Sequence, residues 1–213
     1  MKVREIREKY PYLYETHLHT REASACAKNS AQEMVQAAKD YGYAGIFVTN
    51  HAWYGNTSVD RSLPWEEWVH GFCAPFYTAK AYGDQIGLSV FFGYESCYQG
   101  TEFLIYGVDE EWLLTHPEIK DATITEQLQL VREQGGLVMH AHPFREEAYI
   151  PRVRLFPELV DGVEGINATH SSHLSTSHND PRFDERAIAY AREHDLPMSA
   201  GSDVHSTLML GGG

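Results

Sequence analysis

The chain has 213 residues, with 17 Lys and Arg against 30 Asp and Glu, for a formal net charge of −13. That length suits one large domain that buries most of its surface without staples, and 43% apolar with 22% charged residues excludes a disordered or fibrous chain. The acidic balance argues against long nucleic acid as the main partner. No apolar run approaches the ~18 residues of a membrane span, and three scattered cysteines without a CxxC pair argue against a disulfide framework.

The polar start, MKVREIREKYPY, does not read as a signal peptide, so a cytoplasmic chain without membrane attachment is expected. Residues 13–19 read as a strand. A helix follows over 30–41, opened by a capping box of Ser30 with Glu33 and stopped at Gly42. Residues 44–50 (AGIFVTN) form a second strand. A Trp-rich helix opens after Pro64 and runs towards Tyr82, with a break expected near Pro75. Strands follow at 88–95 and 103–108. Thr123 and Glu126 make another capping box, starting a helix to about Gln134. Strands at 137–141 and 163–168, a helix from Asp180-Pro181 to about His194, and a strand at 197–202 complete the chain.

Alternating strands and helices predict parallel pairing through crossover helices, in either an open doubly wound sheet or a closed barrel. The open sheet calls for a glycine-rich phosphate loop after its first strand, and neither GxGxxG nor GxxxxGK[ST] occurs. The strands lead instead into a set of metal-type residues, which favours a barrel whose strand ends converge on one mouth. The chain ends at Leu210-Gly-Gly-Gly, where a barrel usually adds a helix. Residues 1–213 therefore read as one barrel domain, either naturally short, truncated at its C-terminus or part of something longer.

The chain carries 12 histidines, more than its 9 Phe. Residues two apart on a strand share a face. Three strand ends carry ligand types at i and i+2: His17 with His19, His140 with His142, and Asp203 with His205. Two more strands end in His51 and Glu95. Imidazole and carboxylate without thiolate favours Zn, Fe or Mn, and eight candidates exceed one tetrahedral ion, so two or three divalent ions are expected. Glu15, on the face of His17 and His19, reads as a support for a ligand. Asn167 and His170, at another strand end, read as substrate or supporting contacts lining the mouth.

The ordered set His17-Leu-His19-Thr20 with Ser24, Thr49-Asn50-His51, Gly93-Tyr-Glu95, Ala141-His142-Pro143 and Gly201-Ser-Asp203-Val-His205 resembles the PHP (polymerase and histidinol phosphatase) domain family of metal-dependent phosphoesterases. The resemblance runs from about residue 13 to 207 and implies a distorted seven-stranded (β/α) barrel, TIM-like in outline. It implies that His17, His19, Glu95 and Asp203 surround one ion, that Glu95 bridges to a second bound by His142, and that His51 and His205 hold a third. Three positions depart from the family pattern. Cys26 stands where an Asp or His often follows the opening Ser. Only Glu102 or Asp109 is available where a His usually follows the bridging Glu. Asn50 replaces an Asp before His51.

The expected reaction is attack of a metal-bound hydroxide on a phosphate monoester or small nucleotide, so the expected partner is a small phosphorylated substrate. Asp203 would orient the nucleophile, His205 or His51 would protonate the leaving oxygen, and Arg145 or Arg21 would hold phosphate oxygens. Trp53 or Tyr54 could stack on a ring near the mouth, and residues 171–179 read as a polar loop or lid. Two other readings compete. One is an amidohydrolase-type metal hydrolase, disfavoured because Lys39, Lys80 and Lys120 all lie off strand ends. The other is a catalytically degenerate metal-binding domain with a structural or regulatory role.

Overall fold

The computed structural model describes residues 8–175 and 178–211, so parts of the expected 1–213 domain and of the 171–179 loop lie outside the described residues. Seven strands form one sheet in chain order: β1 (Tyr14–Leu18), β2 (Gly45–Val48), β3 (Ser89–Tyr98), β4 (Thr101–Tyr106), β5 (Leu137–Ala141), β6 (Gly162–Asn167) and β7 (Met198–Gly201). The sheet curls until its ends nearly meet. At the C-terminal rim the segment after β7 bridges to β1, with the Val204 N–H donating to His17 O (3.0 Å) and the His19 N–H to Val204 O (2.9 Å). This is a distorted, nearly closed barrel of the TIM-like kind.

Pairing is not parallel throughout, contrary to expectation. β3 and β4 are antiparallel, and so are β4 and β5. The cause is local. Tyr98 pairs with Thr101 across Gln99 and Gly100, both at positive φ (53° and 81°), and a two-residue loop with positive φ at both positions is the hairpin turn that matches strand twist. β3 therefore runs three residues past Glu95 and folds straight back.

Helices pack outside the barrel. α1 (Ala31–Tyr41) carries the Ser30/Glu33 capping box and ends at Gly42, whose φ is 98°. It lays Met34, Val35 and Ala38 on Ile46, Val48 and Leu18. α2 (Trp65–Ile86) passes through Pro75 unbroken. An interior proline costs about 3 kcal/mol, but burying Trp68, Val69, Phe72, Cys73 and Ala79 on both sides of it contributes about 1.5–3 kcal/mol for each large side chain. α3 (Glu110–Thr115) is capped by Asp109, whose carboxylate accepts the Trp112 N–H (2.9 Å). α4 (Ile124–Glu133) starts at the Thr123/Glu126 capping box and packs Ile124, Leu128 and Val131 in the cluster that holds Phe103, Ile105 and Val138. α5 (Arg182–Glu193) covers Val163 with Ala187, Tyr190 and Ala191. Among the described residues no helix is long and apolar enough to cross a membrane.

Candidate metal centre

The strand ends meet at the rim. Glu95 lies at the middle of the cluster and is 1% exposed. Its Oε1 is 3.0 Å from His142 Nε2 and 3.3 Å from His17 Nε2, and its Oε2 is 2.7 Å from His51 Nδ1 and 3.6 Å from His19 Nε2. Asp203 Oδ1 is 3.4 Å from His19 Nε2 and 3.6 Å from His17 Nε2. Overlapping groups result, each with ligand atoms within 4.8 Å of one another: His17/His19/Asp203, His17/Glu95/His142, His19/His51/His205 and His51/Glu95/Glu102.

Hydrogen bonds around the rings fix which nitrogens face inward. Glu164 Oε1 accepts from His17 Nδ1 at 2.8 Å, and its Oε2 accepts the His142 N–H (3.0 Å) and the Asn167 Nδ2–H (2.9 Å). The Ser24 hydroxyl donates to Asn50 Oδ1 (2.9 Å), so His19 Nδ1, 3.2 Å from the same hydroxyl, is assigned as the donor to it. His205 Nδ1 donates to Asp203 O at 2.8 Å. Each assignment leaves a bare Nε2 on the ring. His17 Nε2, His19 Nε2, His51 Nδ1 and Glu95 Oε2 are buried without a hydrogen-bond partner. His51 Nδ1 and Glu95 Oε2 are close but not aligned for one. Imidazole lone pairs and carboxylate oxygens facing each other in a buried cluster repel unless positive charge lies between them, and this donor set fits divalent cations.

The electrostatics carry the same demand. Burial alone would raise the carboxyl of Glu95, but His17 and His51 hold it well below the usual range. Asp203 is held low in the same way by His17 and Arg145. Burial would lower His17, yet Asp203, Glu164 and Glu95 push it well above the ordinary imidazole value. His19 moves the other way, lowered by burial and by His51 and His205. Burial would also raise the Cys26 thiol, but hydrogen bonds to His205 and His51 bring it down to about 6. Cations binding here displace protons from the cluster.

Most of the residues singled out in the sequence come together: His17, His19, His51, Glu95, His142, Asp203 and His205. His140 does not. The alternation ends with β5 at Ala141, and His142, at φ 26°, turns its ring inward. His140 faces the outer layer, stacked on Phe103 at 4.8 Å, and burial lowers it to about 3. Arg21 also misses the rim. Its side chain is 57% exposed and its partner is Glu33 on α1, 3.9 Å away. Arg145 is buried and commits Nη2 to Asp203 Oδ2 (2.7 Å) and Thr169 Oγ1 (3.1 Å). Of the two stand-in acids, Glu102 comes within 3.4 Å of His142 Nε2, whereas Asp109 is the cap of α3. Asn50 ties Thr20 and Ser24 to the β2 end.

Glu15 supports the backbone rather than a ring, accepting the N–H groups of His17 (3.0 Å) and Ser202 (2.9 Å). His170 pairs Nδ1 with Asp184 at 2.6 Å, and Asn167 Nδ2 reaches Asp203 Oδ2 at 3.3 Å. Sequence reasoning missed Glu164, although a single carboxylate within the strand GVEGIN was the available signal. Gly201 is required beside it, because a Cβ there would collide with Glu164 Oε1 and stand 2.8 Å from His17 Cβ.

The cluster opens into a cavity of about 630 Å3 lined by Cys26, Lys28, Tyr54, Arg145, Tyr149 and His178 among others. Tyr54 is its aromatic wall on the β2 side, while Trp53 packs against Trp65 and Trp68.

The PHP-associated family model matches residues 181–213, from α5 through Asp203 and His205. No curated protein matches the chain. Among solved structures, it is similar to a two-domain protein from Bacteroides vulgatus containing a predicted PHP-like metal-dependent phosphoesterase (TM-score 0.65, 17% identity, 92% of this chain and 52% of that one). It is also similar to an amidohydrolase from Chromobacterium violaceum (0.59, 13%, 91% and 87%) and to a lesion-specific endonuclease from Pyrococcus furiosus (0.54, 13%, 91% and 48%). The chain spans about half the length of the Bacteroides protein. It thus has the fold of the PHP domain family, with a PHP-associated segment carrying its last helix, its last strand and two of its rim residues.

Proposed function

We propose that the chain is a metal-dependent phosphoesterase acting on a phosphate monoester or small nucleotide. The observation that carries this reading is the set of buried, unpartnered imidazole nitrogens of His17, His19 and His51 turned towards Glu95 and Asp203 at the floor of one cavity. Two or three divalent ions, drawn from Zn, Fe and Mn, are the proposed cofactors, with His17, His19, Glu95, Asp203, His142, His51, His205 and Glu102 as ligands. When bound, such ions make hydroxide available near neutral pH and neutralise phosphate charge.

The chain's own groups do the rest. Arg145, fixed against Asp203 and lining the cavity, orients that carboxylate and offers its guanidinium edge to non-bridging phosphate oxygens. Asp203, kept ionised beside Arg145, orients the attacking nucleophile. Where its Nε2 is not committed to an ion, His205, partly exposed at the rim and held by Asp203 O, donates a proton to the leaving oxygen. Lys28 adds a cation at the mouth, while Tyr54 and Tyr149 offer apolar area to the rest of a small substrate. The cavity volume falls in the range of small-molecule sites, and the charge of −13 disfavours a long polynucleotide.

The amidohydrolase neighbour keeps carbon–nitrogen and ester hydrolysis as the competing chemistry. Against it, Lys39 reaches Gly87 O, Lys80 pairs with Asp84 and Lys120 lies over Trp53, so none of the three can bridge metals. The deciding experiment is elemental analysis of the purified protein, followed by a release screen of phosphate esters, short oligonucleotides and amide substrates, with Glu95→Gln as control. Phosphate release that vanishes in Glu95→Gln supports the proposal. Stoichiometric metal with no turnover of any ester favours a degenerate metal-binding domain, and turnover of amides alone favours the amidohydrolase reading.

A further inference from the structure

The loop after β5 and the loop after β6 are joined at the cavity wall by Glu147 and His178. Glu147 lies just past His142 in the chain, on a turn where the Arg145 N–H donates to His142 O (3.0 Å). Its Oε1 accepts both the backbone N–H of His178 (3.2 Å) and the ring Nδ1–H (2.6 Å). A carboxylate oxygen only accepts, so the ring proton is assigned to Nδ1. His178 has φ 64°, a left-handed conformation uncommon outside glycine, and the two bonds to one oxygen hold it there. The Tyr149 ring stands edge-on to the imidazole at 6.5 Å and 84°. The other nitrogen, Nε2, is left with a lone pair and no hydrogen-bond partner among the described residues. The side chain is 20% exposed and lines the same cavity as Glu95, Arg145 and Asp203. Burial and Arg145 lower this imidazole below its ordinary value against the pull of Glu147 and Asp203, so the ring is neutral at pH 7.

We infer that His178, fixed by Glu147, is a specificity-determining residue whose Nε2 accepts a hydrogen bond from a hydroxyl on the alcohol half of the substrate. The inference rests on the phosphoesterase reading above and narrows it: the alcohol released is a polyol or a sugar, not a plain alkyl group. Arg145 and Lys28 bring only donors to the cavity, and phosphate oxygens need donors. A bare imidazole lone pair cannot hold an anionic oxygen, so His178 serves the other end of the substrate. An alkyl group would cover that lone pair without pairing it, a desolvation cost that a hydroxyl avoids. A hydroxyl brings one donor to match one lone pair, whereas an ammonium brings three donors and a charge.

The test measures kcat/KM for phosphate release by the metal-loaded full chain from two pairs of esters. Glycerol 1-phosphate is compared with n-propyl phosphate, and glucose 6-phosphate with cyclohexylmethyl phosphate; p-nitrophenyl phosphate and ethanolamine phosphate are run beside them. The wild type should prefer the hydroxylated member of at least one pair by about tenfold or more. His178→Phe keeps a ring but has no acceptor, and should bring that preference close to unity, mainly through KM. His178→Gln, whose side-chain oxygen accepts, should recover part of it. The ratio of two esters on one preparation is insensitive to the folded fraction, and a contact that only braces the two loops scales both esters alike. The wild-type ratio needs no variant at all. No preference in the wild type, or one that survives in His178→Phe, overturns the assignment. Turnover of p-nitrophenyl phosphate with none of the hydroxylated esters overturns it too, and a preference for ethanolamine phosphate over every other ester replaces the hydroxyl with an ammonium. A metal-loaded chain that hydrolyses no ester overturns the phosphoesterase reading, and this inference with it.

Discussion

Glu164 touches two of the proposed ligand residues at once: one oxygen holds the His17 ring at Nδ1 and the other holds the His142 backbone. The carboxylate fixes the tautomer of His17 and points its Nε2 at Glu95 and Asp203. Such partners tune metal affinity by 10–100-fold. Glu164→Gln keeps the shape but surrenders the charge, so it should weaken metal binding by about that factor with little change in fold. Competition against a calibrated chelator measures it, and an unchanged dissociation constant would show that Glu164 is merely structural.

Arg145 and Asp203 form a buried ion pair, 6% and 3% exposed at the side chain. Arg145→Met should lower kcat/KM on whichever ester proves active by about 100-fold or more, the usual scale for losing a preorganised charged donor. Arg145→Lys should recover little, because a point charge cannot hold Asp203 and Thr169 together as the fork does. Thermal denaturation run alongside separates lost orientation from lost folding. Full activity in Arg145→Met would remove this residue from the mechanism.

His140 makes stability depend on pH. Its pKa falls from 6.5 to about 3 on folding because it is fully buried and then because His142 and Arg154 are near. Between those values the unfolded chain binds a proton that the folded chain refuses. Stability from this group is therefore present above about pH 6.5 and is lost as pH falls towards 3, at about 1.4 kcal/mol per unit. His140→Phe should shrink the stability difference between pH 7 and pH 5 by about 2 kcal/mol in urea titrations. An identical pH slope in the two proteins would refute the assignment.

Thr123 and Glu126 cap α4 reciprocally, with the Thr123 N–H and hydroxyl both donating to Glu126 Oε2 (2.8 and 2.7 Å). Thr123→Ala should cost about 1 kcal/mol of stability, read as a lower urea midpoint with an unchanged slope. Thr123→Ser should be nearly neutral.

Much of the fold is legible in the chain because the signals are local. Both capping boxes and Gly42 mark helix ends through hydrogen bonds among near neighbours, and each of the seven strands overlaps a stretch that reads as a strand. The rim residues are legible because strand ends with HxH and DxH spacing repeat in one register. Alternation fails where the backbone leaves the strand: His142 and Asp203, at φ 26° and 49°, redirect their side chains, which is why His140 and His142 part company. The Gln99-Gly100 turn escapes a sequence reading because Gln is an unusual occupant of a positive-φ position, and without that turn β4 looks parallel. Glu164 stays hidden because its partner, His17, lies 147 residues earlier and no spacing rule links them.

The hairpin has a kinetic consequence. Glu95 and Glu102 sit on adjoining strands of a tight reverse turn, so their half of the rim needs only a short loop to close, an event of microseconds. His17 and Asp203 meet only after almost the entire polypeptide has been threaded around. The two acids are therefore brought near each other by local chain alone, whereas the seam that joins the first strand to the last waits on the longest-range contacts of the fold.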